Sequence, residues 1–221
     1  NNNKGELKII AKELIITRLG ESFLKDGLIK PEAMERSLKA VEGFASQIKA
    51  NRADKIVAAA THVVREAKNR QEFLEKIYQK TGIKVKTLSP EEEAILTFKG
   101  VVNSLSKIGE TFIIFDVGGG STEYIAVRKG EIPRSLSVNM GLVLLAEGYL
   151  EGDPPKESSL ERIFARVRKD LDKINERLMI KKRGNPIVGS GGTATSLAAI
   201  DLGIREYLPD RINNHRIKSF R

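Results

Sequence analysis

Apolar residues recur every three or four positions in several stretches of the chain, and this spacing predicts amphipathic helices. Residues 31–51 carry such a stripe, and residues 160–178 carry another. A third helix is predicted from Ser89 to about residue 106, because Ser-Pro-Glu-Glu forms a capping box with proline at the first helical position. Asn69, with Glu72 three residues later, predicts an N-cap for a helix that ends near residue 79.

Short apolar or alternating runs between these helices predict β-strands. Strands that alternate with helices along the chain indicate an α/β fold. The strands are expected at residues 56–60, 83–88, 111–115, 123–127 and 186–188, and a further helix is expected from about Ala194.

The first residues predict a strand that lacks a visible partner. Residues 2–5 have the composition of a turn, and residues 6–19 that follow are strand-like. A hairpin turn needs a strand before it, so we expect that residues upstream of Asn1 are missing and that the first domain is truncated. The polar break at residues 107–110 predicts a boundary between two domains, residues 1–107 and 108–221.

The amino-acid composition excludes several kinds of active site but says less about the fold. The 221 residues include no cysteine and two histidines, which excludes disulfides, thiol nucleophiles and His-rich metal cages. No run of about 18 apolar residues is present, so we expect no membrane span. Together with the absence of cysteine and of an apolar signal region after Asn1, this favours a reducing, cytoplasmic compartment. The net charge of +9 fits either a polyanionic partner or a solvated basic surface. Aromatic residues make up only 5%, which argues against base stacking and therefore against nucleic acid.

The segment from Asp116 to Glu123, Asp-Val-Gly-Gly-Gly-Ser-Thr-Glu, is the most specific feature of the sequence. Three consecutive glycines follow a carboxylate at the end of an apolar strand. Glycines allow backbone N–H groups to turn toward an anion, and the flanking carboxylates suit a hard cation that accompanies it. A hairpin bend without a ligand is the alternative, but it needs fewer glycines. We therefore predict a phosphate-binding loop in this segment.

A second glycine-rich turn, Gly189-Ser190-Gly191-Gly192-Thr193, lies between a predicted strand and a predicted helix. The free N–H groups and the positive dipole end of a helix N-terminus favour a phosphate. The same residues match a dinucleotide-binding fingerprint, but no strand ending in an acidic residue follows at the required distance. A dehydrogenase is therefore not favoured.

Two charged positions before residue 100 are candidates for catalysis. Glu93 follows the capping-box residue Glu92 and lies off the apolar stripe of its helix, so its carboxylate is free for another task. The simpler explanation is that this carboxylate stabilises the helix N-terminus through the helix dipole. Arg65 follows the strand at residues 56–60 and could clamp a phosphate, although a surface arginine on a loop is the simpler explanation. His62 is interpreted as a structural loop residue, because no second histidine, cysteine or aspartate accompanies it at ligand spacing.

Four blocks of the sequence follow one another in a fixed order. They are Ala60-Thr61-His62-Val63-Val64-Arg65-Glu66-Ala67-Lys68-Asn69, Ser89-Pro90-Glu91-Glu92-Glu93-Ala94, the segment from Asp116 to Glu123, and Gly189-Ser190-Gly191-Gly192-Thr193. Together they resemble the exopolyphosphatase / guanosine pentaphosphate phosphohydrolase (Ppx/GppA) family over nearly the whole chain. The resemblance implies two ribonuclease-H-like (actin-like ATPase) lobes with a cleft between them. It also implies release of terminal phosphate from inorganic polyphosphate, or conversion of pppGpp to ppGpp, assisted by Mg²⁺ or another divalent cation.

The resemblance implies a role for each candidate residue. Glu93 matches the family's catalytic glutamate, which positions and deprotonates the attacking water, and Arg65 matches the arginine that contacts phosphate. Asp116 and Glu123 match the carboxylates on the metal side. The phosphate-binding positions correspond to Asp116, Gly118, Gly119, Gly120, Ser121 and Thr122 in the first turn, and to Gly191, Gly192 and Thr193 in the second.

The sequence departs from the family at its start, so this interpretation concerns the parent protein, and an inactive truncated chain is compatible with it. The family opens with a phosphate loop of the form Asp-x-Gly-Ser-Asn-Ser, which this sequence lacks, and we expect that its C-terminal helices are cut short after Arg221. Two alternatives stay open: a (p)ppGpp-binding module without hydrolysis, and an ATP-dependent kinase of the same superfamily. The expected partner is polyphosphate or guanosine penta- or tetraphosphate, with no nucleic acid and no membrane, and a homodimer is an expectation from the family.

Overall fold

The computed structural model describes residues 9–105, 108–180 and 185–218, which form two lobes, each centred on a sheet. The first lobe is built on a pair of parallel strands, in which Ala59 lies opposite Lys86. A short 3-10 turn, Phe23–Lys25, precedes its helices. In chain order its elements are α1 (Pro31–Ala50), β1 (Ala58–Ala60), α2 (His62–Glu66), α3 (Arg70–Thr81), β2 (Val85–Thr87) and α4 (Pro90–Ser104).

The core of the first lobe is formed chiefly by α1 and α3. Helix α1 begins at Pro31, where the missing N–H of proline removes no helical hydrogen bond. Met34 and Leu38 lie one turn apart on the buried face of α1 and pack in one cluster with Phe73 and Ile77 of α3. Burial of each large apolar side chain of this kind stabilises a fold by about 1.5–3 kcal/mol. The strands β1 and β2 pack against the same cluster.

Helix α4 begins as the sequence predicts and connects the two lobes. The Ser89 hydroxyl accepts from the amide of Glu92 at 3.2 Å, and the Glu92 carboxylate accepts from the amide of Ser89 at 3.0 Å, which completes the capping box. The buried residues of α4, Ala94 and Val101, pack in the core of the second lobe. The boundary expected between residues 107 and 108 stays a prediction.

The second lobe is centred on a four-stranded sheet. Its elements are β3 (Phe112–Val117), β4 (Thr122–Val127), β5 (Arg134–Val138), α5 (Leu142–Tyr149), α6 (Glu157–Arg177), β6 (Ile187–Ser190), α7 (Gly191–Asp201) and α8 (Pro209–Ile212). The strand order is β5–β4–β3–β6, in which β6 alone is parallel to its neighbour. Ile114 and Ile125 lie opposite each other on β3 and β4 and pack against α4. The next residue along β4, Ala126, faces the other way and packs with Ile174 of α6.

Most predicted elements are confirmed, although their ends shift. Helices α1, α3, α4 and α6 occupy the expected helical stretches, and the five expected strands correspond to β1, β2, β3, β4 and β6. Strand β1 is shorter than predicted, and Val57 before it is 95% exposed. Helix α7 begins at Gly191 and not near Ala194, so the glycines form its first turn. The sequence does not predict β5, which is half polar, or α5, whose apolar residues show no helical stripe.

The strand expected at residues 6–19 is wrong for the part that the structure describes. Residues 9–17 have no regular secondary structure, and residues 1–8, which include the predicted turn, lie outside the described residues. No strand of the described ranges pairs with this segment, so its alternating pattern has no sheet to join. The segment instead runs along α1, where the Arg36 guanidinium donates to the carbonyl of Thr17 at 3.0 Å.

The architecture is the mixed α/β class that the sequence predicts. Each lobe places helices against a sheet that contains at least one parallel pair of strands. In the described parts of the chain, no helix combines the length and the apolar content that a bilayer crossing requires.

Asn69 fixes the loop that leads into α1 and does not act as the side-chain cap that the sequence predicts. It does precede α3, but its side chain makes no capping hydrogen bond. Its Nδ2 donates to the carbonyl of Ile29, and its Oδ1 accepts from the amide of the same residue, both at 2.9 Å. Ile29 is 1% exposed, so its peptide groups cannot turn to water instead.

We expect Asn69→Ala to lower the free energy of unfolding by about 1–3 kcal/mol, because a buried donor and a buried acceptor both lose their partner. Asn51→Ala is the matched control, since Asn51 is exposed and its side chain bonds only to the carbonyl of Gln47, one turn earlier. Urea unfolding followed by circular dichroism measures both variants. Equal losses in the two variants would contradict the role given to Asn69.

Candidate active site

Arg65 and Glu93 meet at one edge of the first sheet. Strands β1 and β2 are parallel, so their carboxyl ends lie side by side, and α2 and α4 follow them at the same edge. Arg65 lies in α2 and not on a loop. Its Nη1 donates to Glu93 Oε2 at 3.0 Å and to the carbonyl of Leu88 at 2.9 Å. The side chains of Arg65 and Glu93 are 13% and 17% exposed, so the two residues form a largely buried ion pair.

One nitrogen of the same guanidinium lacks a hydrogen bond. Arg65 Nε is buried and has no partner among the described residues, and the nearest carboxylate oxygen of Glu66 is 3.5 Å away. A buried donor without an acceptor is destabilising and rare in folded proteins. An anion that enters the site therefore finds a donor that the protein itself does not use.

The pKa of the Glu93 carboxyl depends on its burial and on charged groups from both lobes. Burial has the largest effect and raises this pKa, whereas the hydrogen bond from Arg65 lowers it. The negative charges of Glu123 and Asp116 raise this pKa further. The fold therefore brings the carboxylate of Glu93 on α4 near two carboxylates, on β3 and β4, that lie more than 20 residues further along the chain.

Strand β3 places Asp116 between two neighbouring strands. Its register partners are Glu123 on β4 and Ser190 on β6. Burial raises the pKa of the Asp116 carboxyl, the hydrogen bond with Ser190 lowers it, and the charge of Glu123 raises it. Gly191 has a φ of +80°, and a Cβ on it would overlap the Asp116 carboxylate. Glycine is therefore required where α7 begins, because the backbone passes directly over this carboxylate.

The glycine loop (Gly118, Gly119 and Gly120) joins β3 to β4 and is held by helix α5. The amide of Gly118 donates to the carbonyl of Ser121 at 2.9 Å, which closes the turn. The three carbonyls of the loop accept hydrogen bonds from the amides at the start of α5. Leu142 donates to the carbonyl of Gly118 at 2.8 Å, Val143 to that of Gly119 at 2.9 Å, and Gly141 to that of Gly120 at 3.2 Å.

This arrangement fixes the direction of the loop amides. In a trans peptide the carbonyl and the following N–H point to opposite sides. Because the carbonyls of the loop point toward α5, the amides of Gly119, Gly120 and Ser121 point away from it. Successive amides turned to one side form a concave site that favours an anion.

Glu123 is 3% exposed and is held by hydroxyl groups. Ser121 and Ser137 both donate to its Oε1, at 2.7 and 2.8 Å. The hydroxyl of Thr122 donates to the carbonyl of Met140 at 2.6 Å. The hydroxyls of Ser121 and Thr122 are therefore engaged within the protein, and these two residues present backbone groups to a ligand.

The second glycine-rich turn lies at the same edge of the sheet as the glycine loop. Because β6 is parallel to β3, the first turn of α7 begins next to the end of β3. The hydroxyl of Thr193 donates to the carbonyl of Val117 at 2.8 Å and ties this turn to β3. Ser190, at the N-cap position, makes no capping hydrogen bond, so its side chain does not occupy the amides of Gly191 and Gly192.

Sequence reasoning misses two residues that shape the site. Gly141 supports the glycine loop, since a Cβ on it would overlap the backbone of Gly119 and Gly120. His62 lies in α2 and not on a loop, is 9% exposed, and packs against Gly120. Neither contact has a local signal in the sequence, because each joins residues at least 20 positions apart.

The predicted metal ligands fit a cation that arrives with a phosphate better than a cation held by the protein alone. The described residues contain no group of three metal-ligating side chains. Asp116 and Glu123 are side by side on adjacent strands, and the charge of Glu123 raises the pKa of Asp116, a repulsion that a cation relieves. Magnesium is typically held by one or two carboxylates, together with water and phosphate oxygens.

Comparison with known proteins identifies the family. The model of the Ppx/GppA phosphatase family matches residues 1–220 of the chain. The chain therefore belongs to the Ppx/GppA phosphatase family, and the family predicted from the four sequence blocks is confirmed.

Curated proteins and solved structures agree with this assignment. The chain is 30% identical over 219 residues to exopolyphosphatase 2 of Mycobacterium tuberculosis, and the aligned region covers 97% of this chain and 68% of that protein. It is also 30% identical over 225 residues to the bifunctional 3-dehydroquinate synthase/phosphatase of Fusobacterium nucleatum. That aligned region covers 99% of this chain and 33% of that protein. The crystal structure of the Aquifex aeolicus family member is 32% identical with a TM-score of 0.72, covering 94% of this chain and 65% of that one.

The chain spans between a third and about two thirds of the length of these proteins. Within that span, the similarity to the Aquifex aeolicus structure confirms the predicted α/β fold of two ribonuclease-H-like lobes with a cleft between them.

The contact between α5 and the glycine loop predicts the effect of a single methyl group. We expect Gly141→Ala to weaken the binding of inorganic tripolyphosphate by about 10- to 100-fold, because the methyl displaces the loop and misdirects the amides that are expected to contact its charged oxygens. Gly148→Ala is the control: Gly148 lies in α5, which Gly141 immediately precedes, and its added Cβ meets nothing within 4 Å. Isothermal titration calorimetry measures both variants, and equal affinities would contradict the supporting role of Gly141.

Proposed function

We propose that this chain carries the active site of a phosphohydrolase that releases terminal phosphate from inorganic polyphosphate, converts pppGpp to ppGpp, or does both. The observation that carries the proposal is the convergence of the Arg65–Glu93 pair on the carboxylates of Asp116 and Glu123, beside two turns of backbone amides. Membership of a phosphatase family and the likeness to an exopolyphosphatase support this choice of reaction.

The phosphate chain is held mainly by backbone groups. The outward amides of the glycine loop and the first turn of α7 bind non-bridging phosphate oxygens, as helix N-termini and amide nests do in other proteins. These donors are fixed before the substrate arrives, so little reorganisation accompanies binding. The net charge of +9 attracts a polyanion and makes its binding dependent on salt.

Arg65 holds both the substrate and the catalytic carboxylate. Its Nη1 bonds to Glu93, whereas its buried Nε has no partner in the described structure and is available to a phosphate oxygen. One guanidinium can therefore contact the terminal phosphate and fix the orientation of Glu93 at the same time.

Glu93 accepts the proton of the attacking water. Its pKa is raised by burial, so its ionised carboxylate is a stronger base than an exposed glutamate. As the water oxygen bonds to the terminal phosphorus, the bridging P–O bond breaks and the shortened chain leaves with that electron pair. Phosphoryl transfer needs positioning and charge neutralisation more than covalent help from the protein.

A divalent cation, held by Asp116 and Glu123 together with phosphate oxygens, supplies further neutralisation of the phosphate charge when it is bound. A homodimer is part of the same proposal and depends on the family alone, whereas a cytoplasmic location depends on the composition of the chain.

We expect Glu93→Gln to lower phosphate release by about 10²- to 10⁴-fold, the range that loss of a general base produces. Glu91→Gln is the matched control, because Glu91 lies in the same first turn of α4 but is exposed. Release of phosphate from long-chain polyphosphate and from pppGpp, in the presence of Mg²⁺, measures the effect.

Equal activity in wild type and Glu93→Gln would refute the role of Glu93. Tight binding of ppGpp without release of phosphate from either substrate would instead favour the (p)ppGpp-binding module that the sequence left open.

The proposal also predicts a pH dependence. Glu93 must be ionised to accept a proton, so phosphate release rises with pH through the pKa of this carboxyl, which burial places above the usual 4.5. Arg65→Gln removes the hydrogen bond that lowers this pKa, and we therefore expect the acid limb of kcat to move to higher pH. Arg70→Gln is the control, because the exposed Arg70 side chain donates to the carbonyl of Arg65 and not to Glu93. An acid limb that does not move in Arg65→Gln would contradict the assignment.

A further inference from the structure

His62 lies in the site, and the mechanism described above does not use it. It precedes Arg65 by three residues in α2 and is 9% exposed. Its ring lies so close to Gly120 that a Cβ on this glycine would overlap the ring and lie 2.6 Å from Nε2. The first lobe thus touches the glycine loop of the second lobe through this imidazole.

The imidazole is not held by the protein in the way that a structural histidine usually is. Burial and the charges of Arg65, Glu66 and Glu123 determine its pKa, and no hydrogen bond from the described residues contributes. His215, in contrast, has its Nε2 2.6 Å from the carboxylate of Asp201. The ring nitrogens are nevertheless not among the buried polar atoms of the described residues that lack a partner, so they stay accessible to water or to a ligand.

The orientation of the ring indicates what that partner is. The Nε2 and Cδ2 edge faces Gly120, at the loop whose amides are turned away from α5. A donor at this edge therefore lies beside the loop whose amides form the proposed anion site. A phosphate oxygen held by that loop would replace water as the partner of Nε2.

We propose that His62 is a further phosphate-contacting residue, whose Nε2–H donates to a non-bridging oxygen of the phosphate held by the glycine loop. This inference rests on the proposed function, because it adds a donor to the same site. Burial lowers the pKa of His62, and a neutral imidazole keeps one N–H while adding no positive charge beside Arg65. With this contact, α2 binds the phosphate through both His62 and Arg65, and the two lobes close on one ligand.

Nuclear magnetic resonance tests the contact directly, because the chain has only two histidines. The full chain is labelled with ¹⁵N-histidine and titrated with imidodiphosphate, whose P–N–P bridge resists hydrolysis. We expect the Nε2 signal of His62 to shift until the site is saturated, while the signals of His215 stay in place. His62→Gln removes one set of signals and so assigns them.

Two substitutions of similar volume separate hydrogen bonding from packing. His62→Leu removes the donor, and we expect it to weaken imidodiphosphate binding by about 10- to 100-fold, as for a hydrogen bond to a charged group. His62→Gln keeps an N–H near the position of Nε2, so we expect it to restore most of the affinity. Calorimetry gives the affinities, and thermal unfolding confirms that both variants are folded. Equal losses in the two folded variants would overturn the contact and leave only a packing role.

The experiments distinguish failure of the His62 contact from failure of the proposed function. Saturable binding of imidodiphosphate with an unmoved His62 signal, in a chain that releases phosphate from polyphosphate, overturns the contact and leaves the proposed function intact. Absence of any binding overturns both.

Discussion

The hydrogen bonds between the start of α5 and the carbonyls of the glycine loop are the constraint on which the site depends. The amides at the start of a helix have no hydrogen-bond partner within that helix. Here they donate to the carbonyls of the glycine loop, which do not pair with a strand. They also settle which way the loop faces, since a peptide cannot point its carbonyl and its N–H to the same side. These hydrogen bonds require the start of α5 to contact the loop backbone directly. Only glycine at position 141 allows this, because a Cβ there would overlap the backbone of the loop.

Parallel strand pairing brings the remaining groups to the loop. The β1–β2 pair delivers Arg65 and Glu93 to one edge, and the β3–β6 pair delivers Asp116 and the first turn of α7 to another. Helix α4 begins in the first lobe and packs in the core of the second, so it holds the two edges together. Burial is the largest cause of the raised pKa values of Glu93 and Asp116, and the negative charge of Glu123 raises both further. Positive charge relieves this repulsion between the carboxylates.

Features that depend on neighbouring residues are predictable from the sequence. The capping box of α4 involves residues three positions apart, and the stripe of α1 depends only on helical spacing, so both are confirmed. The strand expected at residues 6–19 is wrong within the described residues because alternation is a property of the segment, whereas a strand requires a partner. Asn69 has the right type and position for a cap, yet the nearby backbone of Ile29 takes both ends of its amide group.

The sequence alone determined the family, the α/β class and the identity of the candidate residues. Each motif of glycines, carboxylates and arginine consists of residues close together along the chain, so it is recognisable without a structure. Tertiary structure alone decided that Arg65 bonds to Glu93, that α5 turns the amides of the glycine loop outward, and that His62 faces Gly120. These are contacts between residues distant along the chain. Their geometry follows from strand register and helix packing, which no local pattern specifies.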